Sequence, residues 1–197
     1  MNLKPAFQKS AKLIRVLTTP PLFAAVLSSL LYLLYDGSFA SVWHYLSALF
    51  FLTALPLLAY PVAALVPPLR RRGRSAQRNL ALVFSVLGYI GGFLVAVLGG
   101  GAPVEKVMLG TYLFSGVALA LTTVFHFKAS GHTCGCSGPI ALLSFFVSPW
   151  FLVGYFLLMP IFWSSKSLGR HTVPQLIVGC IIPVIGILLC SACFIGM

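Results

Sequence analysis

Residues 173–195 read VPQLIVGCIIPVIGILLCSACFI, a stretch without a single charged side chain. An α-helix of this length is about 34 Å long at 1.5 Å per residue, enough to cross the roughly 30 Å hydrocarbon core of a bilayer. Similar apolar runs recur along the chain, at about 20–35, 42–66, 80–100, 107–127, 133–148 and 150–164. The pattern predicts an all-α polytopic membrane protein with six to seven transmembrane helices, forming a single membrane domain over residues 1–197.

Composition excludes the other broad classes of protein. Hydrophobic residues make up 59% of the chain, charged residues make up 8%, and the mean hydropathy is +1.02. A soluble domain carries about 25% charged residues, so a soluble globular fold is excluded. Disorder is excluded as well, because disordered segments lack long apolar runs.

Two of the apolar runs are short. As α-helices, residues 133–148 and 150–164 reach only about 24 and 22 Å, less than the hydrocarbon core. Pro149 separates them, because proline cannot continue the first helix and suits the start of the second. We therefore expect the polar ends of these helices to be recessed below one membrane surface.

The charge distribution predicts an orientation. The chain has 13 Lys and Arg against two acids, Asp36 and Glu105, for a net charge of +11. Seven spans place 12 of these cations on one side of the membrane, and four of the 12 lie in the short basic segment 1–18. We interpret this segment as part of a retained first span. The positive-inside rule makes that side cytoplasmic, although a phosphate-binding site would also collect cations on its own face. No basic domain with interleaved aromatics lies outside the spans, so the expected partners are anionic membrane lipids and no nucleic acid.

Two histidines on the cationic side precede predicted helices. His132 follows Gly131 at the start of one run, and His171 precedes another run with Gln175 one helical turn further on. Free backbone N–H groups and the helix dipole make a helix N-terminus favourable for an anion. Together with Lys128 and nearby arginines, the two imidazoles indicate a phosphate site. Each histidine alone could equally be an interfacial residue with its polar tip among the head groups.

The residues around these histidines carry a family resemblance. Ala129-Ser130-Gly131-His132 resembles the Pro-Ser-Gly-His motif of the type 2 phosphatidic acid phosphatase superfamily. The segment 164–175, SSKSLGRHTVPQ, resembles that family's Ser-Arg-five-His-three-Asp motif, and the small residue that follows is Gly179. The chain is also similar to a bacterial variant of the family, through Thr19-Pro20-Pro21, the arginine-rich loop 70–78 and His171 to Gln175.

The resemblance implies a membrane phosphatase that needs neither a metal nor another cofactor. In the family, the last-motif histidine attacks phosphorus and forms a phosphohistidine, and the middle-motif histidine protonates the leaving alkoxide. These roles fall on His171 and His132. Imidazole titrates near neutrality and suits either role. The expected phosphate-binding residues are Arg74, Arg78, Lys128, Ser130, Gly131 and Arg170.

The chain departs from the family pattern at two positions. Gln175 replaces the Asp that orients the nucleophile, and its amide oxygen can accept the Nδ1 proton without supplying a charge. Ser165 stands at the position of the motif Arg, so we expect Arg170 or Lys166 to substitute for it. The family's first motif has no clean match, and Arg74, Arg78 and Lys128 are the substitutes that we expect.

The cysteines favour packing over chemistry. Cys134 and Cys136 have poor spacing for zinc without a second pair, and Cys190 and Cys193 lie at the far end of the last span. An odd total of five, in or beside apolar spans, argues against a disulfide framework. A membrane redox protein remains a minor alternative, to be tested by thiol blocking.

The sequence predicts a lipid phosphate phosphatase of the bacterial inner membrane with a cytoplasmic active site. Its substrate would be a lipid phosphomonoester or diphosphate whose tail stays in the bilayer: phosphatidic acid, phosphatidylglycerophosphate or an isoprenyl diphosphate. The alternative is a catalytically degenerate relative that binds or transports anionic lipids, since the chain lacks the motif Asp and Arg.

Overall fold

The computed structural model describes the backbone of residues 5–196, and the side chains from residue 7 onward except those of Lys12, Arg74, Ser75 and Arg78. Helices make up 84% of the structure, and the described residues contain no β-strand, which confirms the all-α class. The helices are α1 (Pro5–Leu17), α2 (Pro20–Leu34), α3 (Val42–Leu49), a π-helical turn (Phe50–Ala54), α4 (Leu55–Leu65), α5 (Pro67–Arg71), α6 (Gly73–Leu98), α7 (Pro103–Val124), α8 (Gly131–Phe146), a 3₁₀-helix (Pro149–Leu157), α9 (Leu158–Ser167) and α10 (Val173–Phe194).

Four segments are long and apolar enough to cross a membrane. They are Val42–Leu65, Asn79–Leu98, Pro103–Val124 and Val173–Phe194. A fifth span is obtained if α1 and α2, which meet at a bend of 41°, count as one broken span. Among the described residues the count is therefore four to five, and the expected six to seven is not confirmed. The difference arises in part because α8 has 16 residues and α9 has ten, too few for either helix to span alone.

Local sequence determines where the site-bearing helices begin. Ser130 is the N-cap of α8, and its hydroxyl oxygen accepts a hydrogen bond of 3.3 Å from the Thr133 N–H. Thr172 precedes α10, whose second residue, Pro174, has no N–H that would be left unpaired. Such caps satisfy the first backbone N–H groups of a helix, which have no partner within it.

Close packing brings α2, α8 and α10 together at this end of the molecule. Gly135 on α8 lies against Pro20 at the start of α2, and Gly179 on α10 lies against the Ser130 carbonyl and the Thr133 hydroxyl. A Cβ atom at either glycine would overlap these neighbours. The first turns of α8 and α10 can therefore touch, and the start of α2 reaches the same place.

The main core is formed by buried side chains of α2, α3, the π-helical turn, α6, α7, α8 and α10, together with Phe39 between α2 and α3. It includes Leu27, Leu31, Leu52, Met108 and Leu142. A smaller cluster of Ala129, Cys134 and Ile182 packs directly beneath the start of α8. The helix N-termini that carry the two histidines thus rest on packed side chains.

Candidate active site

The N-termini of α8 and α10 are joined by hydrogen bonds. The Ser130 N–H donates to the Gln175 carbonyl at 3.0 Å. The Thr133 hydroxyl lies 3.1 Å from the Leu176 carbonyl and 3.0 Å from that of Ser130. His132 is the second residue of α8 and His171 lies two residues before α10, so these bonds bring the two imidazoles to one junction.

A backbone carbonyl orients His171. Its Nδ1 lies 3.2 Å from the carbonyl oxygen of Lys128. A carbonyl can only accept, so Nδ1 carries the proton in this hydrogen bond. In the neutral ring Nε2 then keeps its lone pair, which is the form of imidazole that can attack phosphorus.

His171 lies outside the candidate spans, and its surroundings favour the neutral ring. Burial lowers the pKa of His171 below its ordinary value of 6.5, and the positive charges of Arg15 and Lys128 lower it further. Hydrogen bonds to the Lys128 carbonyl and the Gln175 side chain oppose this shift. The net effect keeps His171 unprotonated at neutral pH.

Thr18 determines the tautomer of His132. The Thr18 hydroxyl donates to the Ile14 carbonyl at 2.7 Å, and its oxygen lies 2.7 Å from Nε2 of His132. The single hydroxyl proton is used in the first bond, so His132 donates its Nε2–H to Thr18. Nδ1 is then the atom of His132 that can take up and release a further proton.

His132 is held neutral more strongly than His171. It stands at the start of α8, which is not among the candidate spans, and burial lowers its pKa from 6.5 to about 4. The positive charges of Arg15 and Arg170 contribute to the same shift, in that order, and a positive charge on His171 would add to it. Negative charge placed among them would have the opposite effect on the pKa.

Arg15 is the cation that the sequence analysis missed. Its guanidinium donates a hydrogen bond of 3.0 Å to the hydroxyl oxygen of Ser165, which is fully buried. Ser165 is the position for which the sequence analysis expected a substitute cation, and α1 brings a guanidinium there from a distant part of the chain. The expected substitutes, Arg170 and Lys166, are both exposed.

A weak signal for Arg15 and Thr18 was present in the sequence. Residues 11, 15 and 18 share one face of a helix. The structure shows Ala11 fully buried and Arg15 and Thr18 partly buried on this face. Such spacing indicates a packed face, but it does not reveal which helix the face contacts.

The Gln175 side chain contacts His171, as expected, and also the start of α10. Its side-chain oxygen accepts a hydrogen bond of 3.0 Å from the Thr172 N–H, which is the glutamine half of a capping box at the start of α10. The Lys128 carbonyl lies 3.2 Å from Nδ1 of His171 and is a second acceptor for this ring. A backbone acceptor has no residue signature, so the motif comparison could not identify it.

The other expected phosphate-binding residues differ in accessibility. Ser130 is fully buried, with its N–H and its hydroxyl oxygen both engaged at the helix junction, so its contacts are structural. Gly131 is exposed at the first position of α8, and the side chains of Lys128 and Arg170 are also exposed. The side chains of Arg74 and Arg78 lie outside the described residues.

Among the described residues, no group of three or more His, Cys, Asp or Glu side chains could hold a metal ion. The five cysteines are free thiols, and Cys136 donates a long hydrogen bond of 3.4 Å to the Thr18 carbonyl. The thiol thus helps to hold the end of α1 against α8.

The chain matches no family model, no curated protein and no solved structure.

Proposed function

We propose that the protein is a metal-independent lipid phosphate phosphatase that hydrolyses a lipid phosphomonoester or diphosphate through a phosphohistidine intermediate. The observation that carries the proposal is the bond from Nδ1 of His171 to the Lys128 carbonyl, which leaves Nε2 unprotonated beside a second imidazole. A neutral imidazole next to cations and two helix N-termini suits attack on a phosphoryl group.

In the first step, Nε2 of His171 forms a bond to phosphorus and the bond from phosphorus to the lipid oxygen breaks. His132, protonated on Nδ1, gives that proton to the departing oxygen and becomes neutral. In the second step, neutral His132 takes a proton from water, and the resulting hydroxide attacks phosphorus. The N–P bond breaks, inorganic phosphate leaves, and His132 is again protonated.

The low pKa of His132 fits this cycle once the substrate is included. With a pKa of about 4, the ring is neutral at pH 7 in the empty site. A bound phosphate places negative charge beside the ring and raises its pKa, because an opposite charge favours the imidazolium form. The substrate thereby loads the general acid with the proton that the leaving oxygen needs.

The cations have a separate role in the transition state. The guanidinium of Arg15 would bind oxygens of the transferring phosphoryl group in the planar, two-pronged manner typical of arginine. Arg170 and the exposed N–H groups at the start of α8 would add further positive potential. No negatively charged side chain is needed for this step, so the replacement of the motif Asp by Gln175 is compatible with it.

A lipid substrate is favoured by the position of the site at the membrane. Thr18, the partner of His132, lies between α1 and α2, where the bend that would break the first span occurs. A phosphate held here would leave its lipid tail in the hydrocarbon region. Phosphatidic acid, phosphatidylglycerophosphate and isoprenyl diphosphates all share this geometry. The proposed location is the bacterial inner membrane, with the site on its cytoplasmic face.

The direct test is phosphate release from a panel of these lipids by the purified protein in detergent, with and without a chelator. We expect release that the chelator does not affect, and acid-labile label on the protein after brief incubation with labelled substrate. His171→Ala should abolish both. His126→Asn is the matched control, because His126 is exposed and adopts a positive φ of 60° that asparagine tolerates.

One observation favours a second function, the binding or transport of anionic lipids. Gln175 is engaged in capping α10 and supplies no charge to an imidazolium at position 171. Saturable binding of a lipid phosphate without release, unchanged by His171→Ala, would identify the protein as a lipid binder and refute the phosphatase.

A further inference from the structure

Helix α1 has one face toward the protein and one face away from it. Toward the protein, Ala11 is fully buried and its carbonyl accepts a bond of 2.8 Å from the Ser164 hydroxyl. Nearby, the rings of Phe7 and Trp163 are 6.4 Å apart. These contacts are all with α9, against which α1 makes most of its helix packing.

The outward face of α1 combines apolar side chains with positive charge. Leu13, Val16 and Leu17 are each more than half exposed, and Lys9 is exposed beside them. The helix contains no acidic residue. A face that presents large apolar side chains and lysine without acids is typical of helices that lie in the interface of an anionic bilayer.

The position of α1 along the chain supports the same partner. Only Thr18 and Thr19 separate it from α2, which continues at an angle of 41° as the apolar half of the candidate first span. Trp163, packed near Phe7, is of the residue type that concentrates at the level of the head groups. Lys4 and Lys12 add positive charge to this segment in the sequence.

We propose that the outward face of α1, formed by Lys9, Leu13, Val16 and Leu17, docks on a bilayer surface of anionic glycerophospholipids and thereby holds Arg15 and Thr18 in the site. Docking itself follows from the exposed face. Its effect on the site rests on the proposed phosphatase function.

Contacts near the C-terminal end of α1 couple docking to the candidate active site. Arg15 contacts Ser165 and Thr18 contacts His132, so a movement of α1 away from α9 would remove the guanidinium and the partner of Nε2 together. An anionic surface would attract Lys9 while the apolar residues enter the acyl boundary, and both effects would fix α1 at the bilayer surface beside α9 and restrict its movement. The electrostatic part should weaken as salt is added.

Docking can be tested without any assay of activity. The full-length protein is placed in nanodiscs of phosphatidylcholine, alone or with about 30% phosphatidylglycerol, and the rate of chymotrypsin cleavage within α1 is followed by intact mass. We expect cleavage after Phe7, Leu13 or Leu17 to be at least fivefold slower with the anionic lipid, and the difference to shrink in 0.5 M NaCl. Equal rates in the two bilayers would overturn the proposal.

Charge variants identify the surface. Lys9→Glu should remove most of the protection while leaving the chymotrypsin sites intact. The matched control is Lys106→Glu, a charge reversal in the first turn of α7, and it should keep the protection. Loss of protection in both variants, or in neither, would refute docking through this face.

Phosphate release in the same nanodiscs tests the coupling. We expect anionic lipid to stimulate release in the parent and in Lys106→Glu, and much less in Lys9→Glu. Protection of α1 with no phosphate release in any bilayer would refute the proposed function while supporting docking. Release that is equal in both bilayers despite protection would refute the coupling alone.

Discussion

The guanidinium of Arg15 donates a hydrogen bond of 3.0 Å to the hydroxyl oxygen of Ser165, across 150 positions of sequence. The same guanidinium contributes to the lowered pKa of both His132 and His171. Arg15 is therefore a cation that acts on both imidazoles.

Arg15→Ala should lower kcat/KM for phosphate release by about 10² to 10³, the effect of losing one preorganised donor to a transition-state oxygen. Arg15→Lys should retain part of the activity, because it keeps the charge but loses the planar fork. Ser165→Ala should cost less than tenfold. The control is Arg71→Ala, which changes an exposed arginine of α5, and steady-state kinetics is measured for all variants. Similar kcat/KM values for Arg15→Ala and Arg71→Ala would show that Arg15 does not bind phosphate.

The pH profile should reveal His132. A general acid works in its protonated form, and the pKa of His132 in the empty site is lowered to about 4, so kcat/KM should rise as the pH falls from 7 toward 5. In Arg15→Gln this rise in kcat/KM should begin at higher pH, because loss of the positive charge raises the pKa of His132. Arg170→Gln should move it less, since its charge contributes less to the shift. If the rise in kcat/KM occurs at the same pH in Arg15→Gln as in the parent, a group other than His132 is the general acid.

Gln175→Leu should lower turnover by less than tenfold, because the Lys128 carbonyl still holds Nδ1 of His171. It should also reduce the free energy of unfolding by about 0.5 to 2 kcal/mol through loss of the capping box. Gln175→Glu keeps an acceptor for the Thr172 N–H and serves as the matched variant. Turnover and thermal unfolding measured on both variants separate the two effects; loss of activity beyond a hundredfold in a stable Gln175→Leu would make Gln175 the main orienting group.

Gly179→Ala should destabilise the protein by about 1 to 3 kcal/mol or more, because its Cβ would overlap the Ser130 carbonyl and the Thr133 hydroxyl. Gly131→Ala should be tolerated, since the nearest atom to its Cβ would be Leu119 Cδ1 at 3.6 Å. Thermal unfolding of the two variants in one detergent checks the pair. Equal stability would contradict the close contact between α8 and α10.

Much of the local structure could be predicted from the sequence. The apolar runs indicated the helices, because a chain in lipid must satisfy its backbone hydrogen bonds internally. The apolar runs at 133–148 and 173–195 predicted helices there, and the structure begins α8 at Gly131 and α10 at Val173. The number of spans could not be predicted as well. The segment of α8 is apolar, and so is the 3₁₀-helix with α9, but neither forms a continuous α-helix long enough to span a membrane.

The sequence by itself determined the helical class of this protein and the placement of His132 and His171 near helix N-termini, since both depend on residues close together in the chain. Only the tertiary structure decided which groups meet those imidazoles: Arg15 through Ser165, the Thr18 hydroxyl, and the Lys128 carbonyl. The physical reason is that these contacts depend on how α1 packs against α9 and how α8 packs against α10. Packing of this kind joins residues 43 to 150 positions apart, and a backbone carbonyl takes part in it without any side chain to mark its position.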